Sequence, residues 1–256
     1  MELYKVKISK SQLDAMLEDE QALFVQLGTL HNELHMLLKF MLMADSVAKQ
    51  SDGPVNAGAV TQSWLFMTLL ALKICEGKKS LLDQSYHGTK LSKYYSDKLT
   101  SQGQHALKEV NRYFNRADNR ISKIRNEITA HYSHDTVKAQ ISKLPADHEP
   151  PCILGDMPGN CLFGLSRDVT LFVGLDWEGP VTGRDAEFAA ELNGLSKEII
   201  KVAFWLVDFL HDCLLVLAKK MDLDQPEKVE IPDQPSLDES VLPYFRSPKD
   251  QSQSKT

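Results

Sequence analysis

The chain has 256 residues, 43% apolar and 25% charged, with 29 Lys and Arg against 35 Asp and Glu for a net charge of −6. That is the composition of an ordinary soluble globular chain and excludes a disordered, collagen-like or disulfide-stapled protein. The acidic balance also argues against coating nucleic acid or membrane by bulk charge, leaving only a local basic surface for such a role.

Residues 1–10 carry charges and no apolar run of about seven or more, so no secretory signal is expected. From Ser11 to Lys49 apolar residues such as Leu13, Leu17, Phe24, Leu27, Leu34 and Leu38 recur three or four apart, which predicts one long helix or two in line. Ser51-Asp52-Gly53-Pro54 is a turn signal. A second helix is expected from Ala59 to Leu82, through Trp64, Leu65, Leu69, Leu72 and Ile74. A polar connection follows from Gln84 to Gly103, with Thr100 or Ser101 as the cap of the next helix.

The spacing predicts a third helix over about Gln104–His134. Ala106, Val110, Phe114, Ala117, Ile121, Ile124, Ile128 and Tyr132 share one stripe. His105, Arg112, Arg116, Arg120, Lys123, Glu127, His131 and His134 share the opposite one. The polar stripe is mostly basic and suits phosphate backbone, although a solvated helix face looks the same.

Between Leu144 and Gly183 prolines and glycines surround two short apolar runs, Cys152–Leu154 and Val169–Leu175, which reads as a hairpin or small sheet. Helical period returns from Asp185 to Met221, nearly apolar all round in its second half, as in a buried helix or one packed on a second subunit. Residues 222–256 hold five of the 11 prolines and eight acidic against four basic residues. They are expected to form a flexible acidic tail that shields the basic stripe. The apolar segments 23–43 and 199–218 are each interrupted by charged and histidine residues and read as core helices rather than membrane spans. The four cysteines, Cys75, Cys152, Cys161 and Cys213, form no CxxC pair, as in a reducing, cytoplasmic protein.

The sequence lacks GxxxxGK[ST], GxGxxG, GxSxG and HExxH, which disfavours most common nucleotide, hydrolase and zinc sites. One short string remains: Arg125-Asn126-Glu127-Ile128-Thr129-Ala130-His131-Tyr132, at the end of the predicted third helix. Cleaving RNA through its own 2′-hydroxyl needs a group that moves a proton near neutral pH, which a histidine such as His131 supplies. The charge that builds on phosphate oxygens is met best by a bidentate guanidinium such as that of Arg125.

This string resembles the R-[polar]-x4-H motif of the HEPN superfamily, and the resemblance extends to the two long apolar helices before it within residues 11–134. It is most similar to the abortive-infection and toxin branches. The resemblance implies a mainly α fold. A bundle of four or five long helices would span residues 1–221 as a single domain, with an irregular, hairpin-containing insertion over 144–184 before the last helix. It also implies a homodimer cutting RNA without metal or other cofactor, in phage defence or with an antitoxin protein as partner. Arg125, His131 and Asn126 would be its catalytic residues. Arg112, Arg116, Arg120, Lys123 and Tyr132 would contact the substrate, and no membrane is involved.

A regular helix would place Arg125 and His131 about 120° apart in azimuth and about 9 Å apart along the axis. The helix must therefore bend near Thr129, or a two-fold axis must bring Arg125 of one chain to His131 of the other. Two further readings stand beside this one. His134-Asp135 could be the dyad of a metal-dependent phosphohydrolase, completed by His87 and Asp208 or Asp212; His105, about 44 Å along the same predicted helix, could not share its metal. Alternatively the chain is a non-catalytic helical dimer that binds RNA or protein through the basic stripe.

Overall fold

The computed structural model describes residues 3–129, 134–175, 177, 185–221, 223, 226–230, 233, 235–236, 239–240 and 242–245. The protein is mainly helical. Strand β1 is Leu3–Lys5 and helix α1 is Lys10–Leu13, started by a reciprocal capping box between Ser9 and Gln12. Helix α2, Glu18–Gln50, opens with Glu18, Asp19 and Glu20, whose charges oppose the positive end of the helix dipole. Helix α3, Gly53–Glu76, continues through a wider π-helical stretch, Gly77–Gly88. Gly53 has φ +57°, which glycine adopts without strain, and it makes the tight reversal between α2 and α3.

Helix α4, Ser92–Tyr95, and a short 3₁₀ turn lead to α5, Ser101–Phe114. Its N-cap is Thr100, whose Oγ1 accepts from Gly103 N at 3.2 Å, as the sequence suggested. Helix α6, Arg120–Ile124, runs directly into a π-turn, Arg125–Thr129, and α7 is His134–Ile141. Strands β2, Cys152–Ile153, and β3, Leu162–Phe163, pair antiparallel. Helix α8, Gly164–Leu175, follows at once, and α9, Asp185–Ala218, is the longest helix described. Strand β4, Glu227–Val229, pairs antiparallel with β1, Leu3 opposite Val229.

The chain forms two compact units. One comprises residues 1–36, 73–119 and 200–235. Its core joins Leu23, Leu27, Leu30 and Leu34 of α2 with Tyr86, Tyr95, Val110, Leu206, Phe209 and Leu210. The other comprises residues 37–72, 120–199 and 236–256. There Trp64, Met67 and Leu70 of α3 are buried along with Ile121, Ile124, Ile128, Val169, Phe172 and Ile199. Gly174 of α8 lets α3 approach, since a Cβ there would lie 2.6 Å from Trp64 Cη2 and 3.0 Å from Ile128 Cδ1.

The structure departs from the sequence reading in three places. The expected helix over 104–134 is broken at 115–119, so its basic stripe is not one surface of one helix. Arg116 Nε bonds Asp118 Oδ1 at 3.1 Å and Asn119 Nδ2 bonds Arg116 O at 2.8 Å, and these local bonds compete with the helical ladder. Val169–Leu175, expected as a strand, belongs to α8. All seven of its residues except Thr170 are buried, and an apolar run buried on most sides carries no period to tell helix from strand. Within the expected flexible tail, β4 is paired, and Tyr244 packs over Gly58 and donates through its hydroxyl to Cys161 O at 3.0 Å.

Candidate functional site

The motif begins where α6 gives way to the π-turn. Ile124 and Ile128 are buried and anchor the turn in the core, whereas Arg125 is half-buried and Asn126 exposed. The five-residue hydrogen-bonding step of a π-helix widens the backbone there, and such interruptions gather at functional sites. Arg125 Nη1 donates to Asn126 Oδ1 at 3.0 Å, so the amide fixes part of the guanidinium fork. The structure thus brings together two of the three expected catalytic residues. His131 and Tyr132 lie outside the described residues.

The basic residues fall into two groups. Arg112 and Arg116 belong to the first unit, and Arg120, Lys123 and Arg125 to the second. Arg112 pairs with Glu109, whose carboxylate is buried, at 2.5 Å. Arg116 holds exposed Asp118, whose carboxyl is drawn below its ordinary value by that hydrogen bond and charge, and stands 5.7 Å from the Tyr113 ring. Arg120 reaches Glu191 at 3.5 Å and Glu198 at 3.9 Å on α9. Lys123 is half-buried. These arginines hold protein carboxylates first, so a phosphate must compete for them.

Beside the π-turn, on the same unit, lies an open cavity of about 810 Å³ walled by α3, α7 and α8, with Ile128 of the turn in its lining. Its lining is apolar, including Trp64, Leu65, Leu69, Phe163 and Val169. Close to it, Arg167 Nε donates to Asp168 Oδ1 at 2.7 Å. His148 Nε2 stands 3.3 Å from Asp168 Oδ2, within ion-pair distance but off hydrogen-bond alignment. Residues 148 and 168 share no local sequence signal, and only the fold unites them.

A second cluster went unmarked in the sequence. In the first unit the His31 ring lies 4.5 Å from that of His35, one helical turn on, and 6.0 Å from that of His211 on α9. Their i,i+4 spacing was legible, but His211 could be placed only by the fold. Burial first, then the neighbouring imidazoles, push the His31 pKa below its ordinary value. Among the described residues, no three His, Cys, Asp or Glu side chains are arranged to hold a metal ion, and this includes His134 and Asp135.

One helical run among the described residues, Gly53–Gly88, is long and apolar enough by composition to cross a membrane, and half of its most apolar stretch is buried inside the protein. The chain matches no protein-family model, no curated protein and no solved structure.

Proposed function

We propose that this protein is a metal-independent endoribonuclease of HEPN type, working as a homodimer in the cytoplasm in phage defence or a toxin–antitoxin system. In this reading His131 moves the proton of the attacking 2′-hydroxyl and Arg125 stabilises the charge on the phosphate. Asn126 orients Arg125, and Tyr132 and the basic residues hold the RNA. The single observation that carries the reading is the π-turn at Arg125–Thr129, which distorts the helix at the motif, where a regular helix would keep Arg125 and His131 apart. The hydrogen bond from Arg125 to Asn126 supports it, because a catalytic guanidinium needs a fixed fork.

The test is cleavage of a mixed tRNA and mRNA pool in EDTA by wild type and by His131→Ala, with product ends analysed. Cutting by wild type alone, leaving 2′,3′-cyclic phosphate ends, is the expected result. Cutting that survives His131→Ala would reject this site. No cutting by either protein, with or without metal, would favour a non-catalytic helical module that binds RNA or protein.

A further inference from the structure

We propose that the cavity between α3, α7 and α8 binds a long-chain carboxylic acid, its hydrocarbon tail in the trough and its carboxylate at Arg167. At about 810 Å³ the cavity lies within the range of about 300–1,000 Å³ that small-molecule sites occupy. The hydrogen-bonding state of the wall suits the tail. Thr61 Oγ1 donates to Ala57 O at 2.8 Å, and Thr68 Oγ1 to Leu65 O at 2.8 Å. Ser166 Oγ donates to Phe163 O at 2.9 Å, and Thr170 Oγ1 to Arg167 O at 2.9 Å. Trp64 Nε1 donates to Thr170 Oγ1 at 3.0 Å. Among the described residues, all the neutral side-chain donors of the lining are thus spent inside the protein. A hydrocarbon chain leaves such a wall with nothing unsatisfied, whereas a polar ligand would find no neutral side-chain donor to replace its lost water.

The charge of the wall suits the head group. Among the described residues of the lining, Arg167 is the one charged side chain. Asp168 engages its Nε and one Nη, at 2.7 and 2.6 Å, and a guanidinium carries five N–H donors. Those that remain match a second carboxylate, which competes with Asp168 for the charge. Leu65 and Phe163, 52% and 59% exposed, form the rim and are wetted while the trough is open, so covering them with a chain is favourable. Residues 243–244 are not the occupant, because they lie against Gly58 and Gln62 of α3. The site is separate from the ribonuclease reading and does not depend on it.

Trp64 in the wall provides the readout. A long-chain fatty acid brominated at mid-chain, held below its micelle-forming concentration, should quench the fluorescence of the full chain saturably. Trp64→Phe should lose most of that quenching although Trp177 and Trp205 remain. Leu65→Glu, at an exposed position, should weaken the effect about tenfold by placing a like charge on the rim. The equally long brominated alcohol should bind about tenfold less tightly than the acid. Absence of saturable quenching, or quenching that is indifferent to both variants, would overturn the proposal. Equal binding of alcohol and acid would overturn the role of Arg167. Conversion of an oligomer to monomers by Leu65→Glu, with no quenching of wild type, would give the trough to a second copy of the chain and likewise overturn it.

Discussion

Lys220 Nζ stands 2.6 Å from Glu20 Oε1, joining two residues 200 positions apart in the first unit. The hydroxyl of Tyr95 donates to the same oxygen, Leu17 N donates to Oε2 at 3.1 Å, and the ammonium lies 5.4 Å from the Tyr95 ring. Burial alone would raise the Glu20 carboxyl, but these hydrogen bonds outweigh it and hold the group below its ordinary value. The unfolded chain therefore binds a proton there before the folded one does. Stability from this group is full above the unfolded value of about 4.5 and is lost as pH falls through the folded value.

Lys220→Ala should cost about 2 kcal/mol near neutral pH, measured as a denaturant midpoint. That is less than the roughly 3–5 kcal/mol of a fully buried pair, because the lysine side chain is 39% exposed. The variant should also lose less stability than wild type on acidification below about pH 4.5. An equally steep acid profile in both proteins would show that Glu20 is held by Tyr95 and Leu17 alone.

Asp212 accepts from Thr100 N at 2.6 Å and from Thr100 Oγ1 at 2.9 Å, so one carboxylate on α9 fixes the residue that caps α5. Thr100→Ala removes both the cap and one donor to the largely buried carboxylate, and should cost about 2 kcal/mol. Thr100→Ser keeps both and should lie within about 0.5 kcal/mol of wild type. Equal stability of Ala and Ser variants would refute the double role.

The long apolar helices were legible because Leu27, Leu30, Leu34 and Leu38 repeat at helical spacing and are all buried, and Thr100 was legible as a cap. The break at 115–119 was not, because Phe114, Ala117 and Ile121 keep the helical phase across it and no Gly or Pro marks it. The residue types do not mark the π-turn, since Arg125 and Ile128 suit an ordinary amphipathic helix, and only the spacing of Arg125 and His131 asked for a bend near Thr129. Around the candidate site, the motif marks Arg125 and Asn126, and a hydrogen bond joins them. By contrast Arg167, Asp168 and His148 lay unnoticed in a stretch read as a small sheet.

Acid should also weaken the histidine cluster. With the His31 pKa depressed by burial and by His35 and His211, and only partly raised again by Asn32, the folded state binds fewer protons than the unfolded chain below about pH 6.5. Stability carried by neutral His31 is complete above that value and declines as pH falls past it. His31→Gln should flatten the stability profile as pH falls below about 6.5. Imidazole resonances followed by NMR should titrate later for His31 than for a free histidine, and a normal titration would remove the argument.

The thiols should react in an order set by burial. Cys213 is fully buried and its pKa is pushed up to about 12, by burial first and by Asp212 second. Cys152 is exposed on β2. Since only the thiolate attacks, a maleimide at neutral pH should label Cys152 first. Cys75 and Cys161, of intermediate exposure, should follow, and Cys213 only on unfolding. Mass spectrometry of timed digests gives the order, and early modification of Cys213 would mean that α9 opens locally far more often than the burial of its Leu206, Phe209 and Leu210 implies.

Gly174 sets the distance between α3 and α8, and with it the position of Trp64 in the cavity wall. Gly174→Ala gains helix propensity worth about 1 kcal/mol but drives a methyl group into the indole and into Ile128 Cδ1. Overpacking of that kind costs about 1–3 kcal/mol, so the net change should be neutral to destabilising by about 2 kcal/mol. The more specific consequence is local. Trp64 Nε1 must move relative to Thr170 Oγ1, now 3.0 Å away, and loss of that bond should shift tryptophan emission in wild type against variant but not when both carry Trp64→Phe. Because Ile128 belongs to the π-turn that begins at Arg125, any ribonuclease activity should fall in Gly174→Ala by more than the loss of folded protein explains. An emission spectrum and activity per folded molecule that both match wild type would show that Trp64 and the turn yield independently of α8.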